Sequence, residues 1–126
     1  MTTKIASKIL VCEGEEVLLT ALKFRLQKQG YSLFLAQNGK KAKELIRQAQ
    51  PDLIIADLNL PGIRTAELLD FVHQEIGTDV PMIAMADLED EELVLEALRL
   101  GFQDFLTKPF KPVELVLRIR RIVELV

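Results

Sequence analysis

The stretch Pro51–Gly62, PDLIIADLNLPG, decides how this chain is read. Leu53 to Ala56 is apolar on consecutive positions, the pattern of a central parallel strand covered on both faces. The run ends on a carboxylate, Asp57. An ionised group at the end of a buried strand is costly unless it has a chemical task. The task that suits a carboxylate there is accepting a phosphoryl group, since its oxygen can act as the nucleophile and form an acyl phosphate.

Outward from that strand, short apolar runs alternate with longer segments whose apolar residues recur at three and four. Ile9–Cys12, Tyr31–Ala36, Pro81–Ala86 and Phe102–Thr107 read as further strands. The intervening helices are expected over Val17–Gln29, closed by Gly30, from a cap at Asn38 to the residues before Pro51, over Thr65–Ile76, over Glu89–Leu100, ended by Gly101, and over Val113–Val126. The acidic first turn of the helix at Glu89 suits its macrodipole. Strand-then-helix units in series imply an α/β fold: a doubly wound parallel sheet between two helical layers.

A chain of 126 residues is expected to make one domain, residues 1–126, with a real core. Hydrophobic residues at 49% and charged residues at 28% describe a soluble globular protein. The net charge of -3 gives no general attraction to nucleic acid or to an anionic membrane, so direct nucleic-acid binding is not expected. Cys12 is the only cysteine, which leaves no disulfide framework or cysteine metal cluster and suits a reducing cytoplasm. It reads as a small core residue. The opening MTTKIASKILVCEGEE meets charge too soon for a signal-peptide core or a membrane span.

Parallel sheets of this type place their sites at the carboxyl ends of the strands. The residues there are Glu13 and Gly14, Ala36, Asp57, Ala86 and Asp87, and Thr107 and Lys108. Glu13, Asp57 and Lys108 therefore converge if the strand order is the usual one. Two carboxylates and an ammonium from three strands suit a phosphate or metal site.

Three pieces in order, KILVCEGEE, PDLIIADLNLPG and GFQDFLTKPF, make the chain resemble the receiver domain of two-component response regulators from Lys8 to about Val123. The resemblance implies strand order 2-1-3-4-5 and a phosphorelay signalling role, with Asp57 phosphorylated by a histidine kinase or phosphotransfer protein and the signal passed to an output domain or partner protein. It implies Mg²⁺ held by Glu13, Asp57 and the backbone carbonyl of Asn59, with Lys108 paired to Asp57 or to the phosphoryl group. It also implies a Lys108–Pro109 peptide bond that is cis, and no enzymatic activity beyond assisting the chain's own phosphorylation and dephosphorylation. The chemistry is consistent, because nucleophile and phosphoryl group are both negative and need a cation and an ammonium between them.

Two departures from the family pattern stand out. Gly14 occupies the place of a second acid, usually the more direct metal ligand, so Mg²⁺ binding is expected to be weak or absent. Ala86 replaces the Thr or Ser whose hydroxyl binds a phosphoryl oxygen and draws in the aromatic switch residue, here Phe105. A hydrogen bond to a charged group contributes roughly 1.5 to 3 kcal/mol, so switching is expected to be blunted. A pseudo-receiver acting by protein contact alone is the alternative. A flavodoxin-like cofactor protein is disfavoured by the acidic EGEE loop, and an aspartate-nucleophile phosphatase by Asn59.

In one branch of receivers the fourth helix, fifth strand and fifth helix form a twofold dimer tied by salt links. Asp104, Glu114 and Arg118 match positions of such links, and Val94 stands where a lysine would be wanted. The expectation is a weak homodimer through that face. His73 reads as a partly exposed helix residue, and Phe102 and Phe110 as core. Arg120 and Arg121 read as part of the solvated face of the last helix.

Overall fold

In the computed structural model, which describes residues 7–123, strands and helices alternate strictly. β1 (Lys8–Cys12), β2 (Ser32–Ala36), β3 (Leu53–Asp57), β4 (Met82–Asp87) and β5 (Asp104–Lys108) are joined through α1 (Glu16–Lys28), α2 (Gly39–Ala49), α3 (Thr65–Glu75) and α4 (Glu91–Leu100). α5 (Pro112–Val123) follows. The expected continuation of the last helix to Val126 lies outside the described residues. All pairings are parallel and the sheet order is β2-β1-β3-β4-β5, as the resemblance implies.

The consecutive apolar residues of the central strands are explained by two separate cores. Ile9, Val11, Leu53 and Ile55 face α1 and α5, where they pack with Leu19, Leu22, Leu26, Leu115 and Ile119. Leu10, Cys12, Ile54 and Ala56 face the other way, onto Ala42, Ile46, Leu68, Val72 and Ala97 of α2, α3 and α4. A strand buried on both sides has no polar face to show, which is why period two is missing from LIIA.

Element ends follow local chemistry. Asn38 caps α2, its Oδ1 accepting from Lys41 N–H at 2.9 Å. α4 begins at Glu91 rather than Glu89 because Asp90 N–H first closes a turn onto Asp87 O at 3.0 Å. At its other end Gly101 takes φ +121°, and Phe102 N–H returns to Ala97 O at 3.0 Å. Phe102 therefore enters the core from a helix terminus and not from β5, which starts at Asp104.

A hollow of about 880 Å³ is bordered by Ser7, Asp52, Asp79, Gln103 and Arg121 at the amino ends of the strands. That is the wrong end of the sheet for a ligand site in this class. No helix among the described residues is long and apolar enough to cross a membrane.

Candidate phosphoacceptor site

The chain leaves β1 for β2 on one side and returns through β3 on the other, which opens a crevice above the carboxyl ends of β1 and β3. Glu13 stands at the end of β1, its N–H fixed to Ala36 O at 2.9 Å. Asp57 is the last residue of β3, and Lys108 the last of β5. The ammonium of Lys108 bridges the two acids, with Nζ 2.7 Å from Glu13 Oε1 and 2.5 Å from Asp57 Oδ2. The peptide bond between Lys108 and Pro109 is cis.

The remaining carboxylate oxygens are also engaged. Glu13 Oε2 accepts from Glu15 N–H at 2.9 Å, and Asp57 Oδ1 accepts from Asn59 N–H at 2.7 Å. Glu13 is 1% exposed, unusually deep for an acid. Burial holds its carboxyl above the usual range, with Asp57's charge acting the same way, while the Lys108 hydrogen bond and Glu15 N–H pull it down. For Lys108, burial alone favours the neutral amine, but the hydrogen bonds to Asp57 and Glu13 outweigh it and hold the ammonium above its ordinary pKa.

Gly14 offers no side chain to this cluster, and its surroundings are tight. A Cβ there would lie 2.9 Å from Pro61 Cδ and 3.2 Å from Pro61 Cγ. Pro61 is held in turn by Gly39, whose N–H donates to Pro61 O at 2.8 Å. Ala86 is buried at the end of β4 in the same apolar cluster as Val94 and Ala97 of α4, with the partly buried Phe105 packed against it. Among the described residues no group of three or more His, Cys, Asp or Glu could hold a metal. The donors near Asp57 are all oxygen, which suits Mg²⁺ in kind, and two carboxylates with a carbonyl fall within what that ion accepts when it keeps several waters.

The residues expected on the α4–β5–α5 face find partners within the chain. Arg118 Nη1 donates to both oxygens of Asp104 at 2.9 Å within one chain, and Glu114 Oε1 accepts from Lys111 N–H at 3.2 Å at the start of α5. Val94 is buried. One contact escaped the sequence reading entirely: Asn59 Nδ2 donates to Asp90 Oδ2 at 2.8 Å, joining the loop after β3 to the start of α4. No local signal announces a bond between residues this far apart in the chain.

Comparison with known proteins matches residues 9–120 to the response regulator receiver domain. A Francisella response regulator receiver domain shares 28% identity at a TM-score of 0.83, over 94% of this chain and 97% of that one. The receiver domain of a sensor histidine kinase from Pseudomonas aeruginosa, described with a magnesium ion coordinated in its active-site cleft, shares 28% identity at 0.81, over 92% and 96%. NtrX from Brucella abortus shares 27% identity at 0.86, over 94% of this chain and 27% of that longer protein.

Proposed function

Because the chain belongs to the response regulator receiver domain family, we propose that it takes a phosphoryl group on Asp57 and relays that event to an output. The observation that carries this reading is the convergence of Asp57, Lys108 and Glu13 at the carboxyl edge of the sheet, with one ammonium within 2.7 Å of both acids. In the transfer, an Asp57 carboxylate oxygen attacks phosphorus and forms the new O–P bond. The bond from phosphorus to the donor breaks, and its electron pair leaves with the donor group. Lys108 is placed to leave the carboxylate and follow the charge onto the phosphoryl oxygens.

Mg²⁺, when bound, supplies positive charge between the carboxylates and the phosphoryl oxygens. Glu13, Asp57 and the Asn59 carbonyl would hold it. Its binding is weakened in this reading, since Gly14 contributes no acid and both Glu13 oxygens already have partners. Ala86 contributes no hydroxyl to report the event, so switching through Phe105 is blunted. The donor is a histidine kinase, a phosphotransfer protein or a small acyl phosphate, and the recipient of the signal is an output domain or a partner protein. The chain itself is not an enzyme beyond assisting its own modification.

Incubation with acetyl phosphate and Mg²⁺, followed by intact-mass measurement, tests the proposal. The native chain should gain one phosphoryl group and Asp57→Asn none. An unmodified native chain at high Mg²⁺ would sink the reading. It would favour a pseudo-receiver in which the Glu13–Lys108–Asp57 bridge is a permanent structural feature.

A further inference from the structure

The loop after β3 is gripped from two sides. On one side Pro61 rests against Gly14 and accepts from Gly39 N–H. On the other, Asn59 is bonded at both ends: its backbone N–H donates to Asp57 Oδ1 at 2.7 Å, and its side-chain Nδ2 donates to Asp90 Oδ2 at 2.8 Å. Asp90 stands immediately before α4, in the N-cap position, yet its side chain caps nothing. Its backbone, at φ -93° and ψ 37°, also departs from the extended conformation usual at a cap. Aspartate is among the residues that best serve that position, where its carboxylate accepts from the second or third amide of the helix. Here those amides belong to Glu92 and Leu93, and the carboxylate has been drawn away from them to Asn59.

We propose that Asp90 is a positioning residue which, through Asn59, couples the acceptor carboxylate of Asp57 to the first turn of α4, a route that needs no hydroxyl at residue 86. Asp90 has two alternative hydrogen-bonding uses. Latched, it holds the Asn59 side chain and leaves the helix start uncapped. Released, it caps α4. Each use pairs one carboxylate with one neutral donor, so a modest change at Asp57 suffices to shift the balance. Capture of Asp57 Oδ1 by a phosphoryl group removes the acceptor that fixes Asn59 N–H, and it adds a negative group that competes with Asp90 for the Asn59 donors. Both changes favour release. This last step rests on Asp57 being the acceptor; the latch itself does not.

Amide hydrogen exchange at Glu92 and Leu93 reads the two states directly. Asn59→Ala leaves the loop's backbone N–H and carbonyl in place but frees Asp90, and should slow exchange in the first turn of α4 roughly fivefold, the usual worth of an N-cap. Asp90→Ala should not slow it. Acetyl phosphate with Mg²⁺ should slow the same amides in the native chain and in Asp90→Asn, which keeps an acceptor at the position, and leave Asp90→Ala unchanged. Native exchange rates in Asn59→Ala, or an equal response to acetyl phosphate in Asp90→Ala, would overturn the proposal. If intact mass shows no phosphoryl adduct on the native chain, the reading of Asp57 as acceptor fails, and the Asn59→Ala comparison alone decides the latch.

Discussion

Lys108→Met isolates the charge arrangement of the site. Methionine keeps most of the stem's volume and removes the ammonium that lies 2.7 Å from Glu13 Oε1 and 2.5 Å from Asp57 Oδ2. Glu13, at 1% exposure, is then left facing Asp57 without a cation. Removing one partner of a buried pair typically destabilises by 3 to 5 kcal/mol. The Lys108 and Asp57 side chains keep 15% and 11% exposure, which points to the lower end, about 3 kcal/mol. With a urea slope of about 2 kcal/mol per molar, the unfolding midpoint should fall by about 1.5 M near neutral pH.

The pH dependence sharpens the test. Burial, helped by Asp57, holds the native Glu13 carboxyl above its usual range even with Lys108 and Glu15 N–H opposing it. Without Lys108 it must rise further. A carboxyl raised in the folded state destabilises the fold where it is ionised, and that penalty fades as pH falls through the folded pKa toward the unfolded value, about 4.3. The gap between native and variant should therefore be full near neutrality and shrink in mild acid, as the variant takes up a proton at Glu13. At the alkaline end the raised Lys108 stabilises the native chain fully below its unfolded pKa, about 10.4. That contribution is lost as pH rises through the folded pKa, so the gap narrows again. A gap under about 1 kcal/mol at neutrality, the size of an exposed pair, or one unchanged in mild acid, would refute the reasoning.

Gly14→Asp should tighten Mg²⁺ binding in calorimetry while lowering stability by about 1 to 3 kcal/mol, because its Cβ meets the Pro61 ring at 2.9 Å; adding Pro61→Ala should recover the stability, and an unstrained Gly14→Asp would contradict the packing. Arg118→Glu should cost about 1 kcal/mol through loss of the two 2.9 Å bonds to Asp104. If the α4–β5–α5 face holds a dimer, the same change should abolish it in sedimentation velocity, and identical profiles would remove the dimer. Cys12, whose thiol burial pushes up to about 12, should resist alkylation in the folded chain and react only on unfolding; rapid labelling of the native chain would count against its place in the core.

The sheet was legible because its central strands are unbroken apolar runs and its helices carry clear starts and stops. Errors fell at the ends, where hydrogen bonding rather than hydrophobicity decides. Asp57 belongs to β3 because it still pairs with Met85 of β4, and Pro81 sits outside β4 although its carbonyl accepts from Ile54 N–H at 3.1 Å. The strand-end rule also found Glu13, Asp57 and Lys108, since it needs only topology. It could not reveal that one ammonium serves both acids, nor that Asp104 and Arg118 pair within the chain. It gave no hint that Asn59 spends its side chain on Asp90. Those are matters of rotamer and distance between segments far apart in sequence, and residue type alone leaves them open.

Gly14 and Lys108 belong to one electrostatic arrangement. Two carboxylates and one ammonium leave the cluster with one uncompensated negative charge, and a single Nζ can touch both acids only because they are two. An acid at residue 14 would add a further charge that this ammonium is not shown to reach, and a divalent ion would then gain more by binding. In the proposed reading the glycine lowers that gain, and the space beside it is taken by Pro61. Ala86 acts in the same direction. A hydroxyl at a 1% exposed position needs a hydrogen-bond partner, and a phosphoryl oxygen would provide one; alanine has no such need and packs with α4 whether or not Asp57 is modified. Both departures thus make the resting site more complete in itself. In the proposed reading a phosphoryl group arriving at Asp57 acts on what is bonded to that carboxylate, namely Lys108 and the Asn59 loop, and of these the loop is bonded to Asp90, the residue before α4.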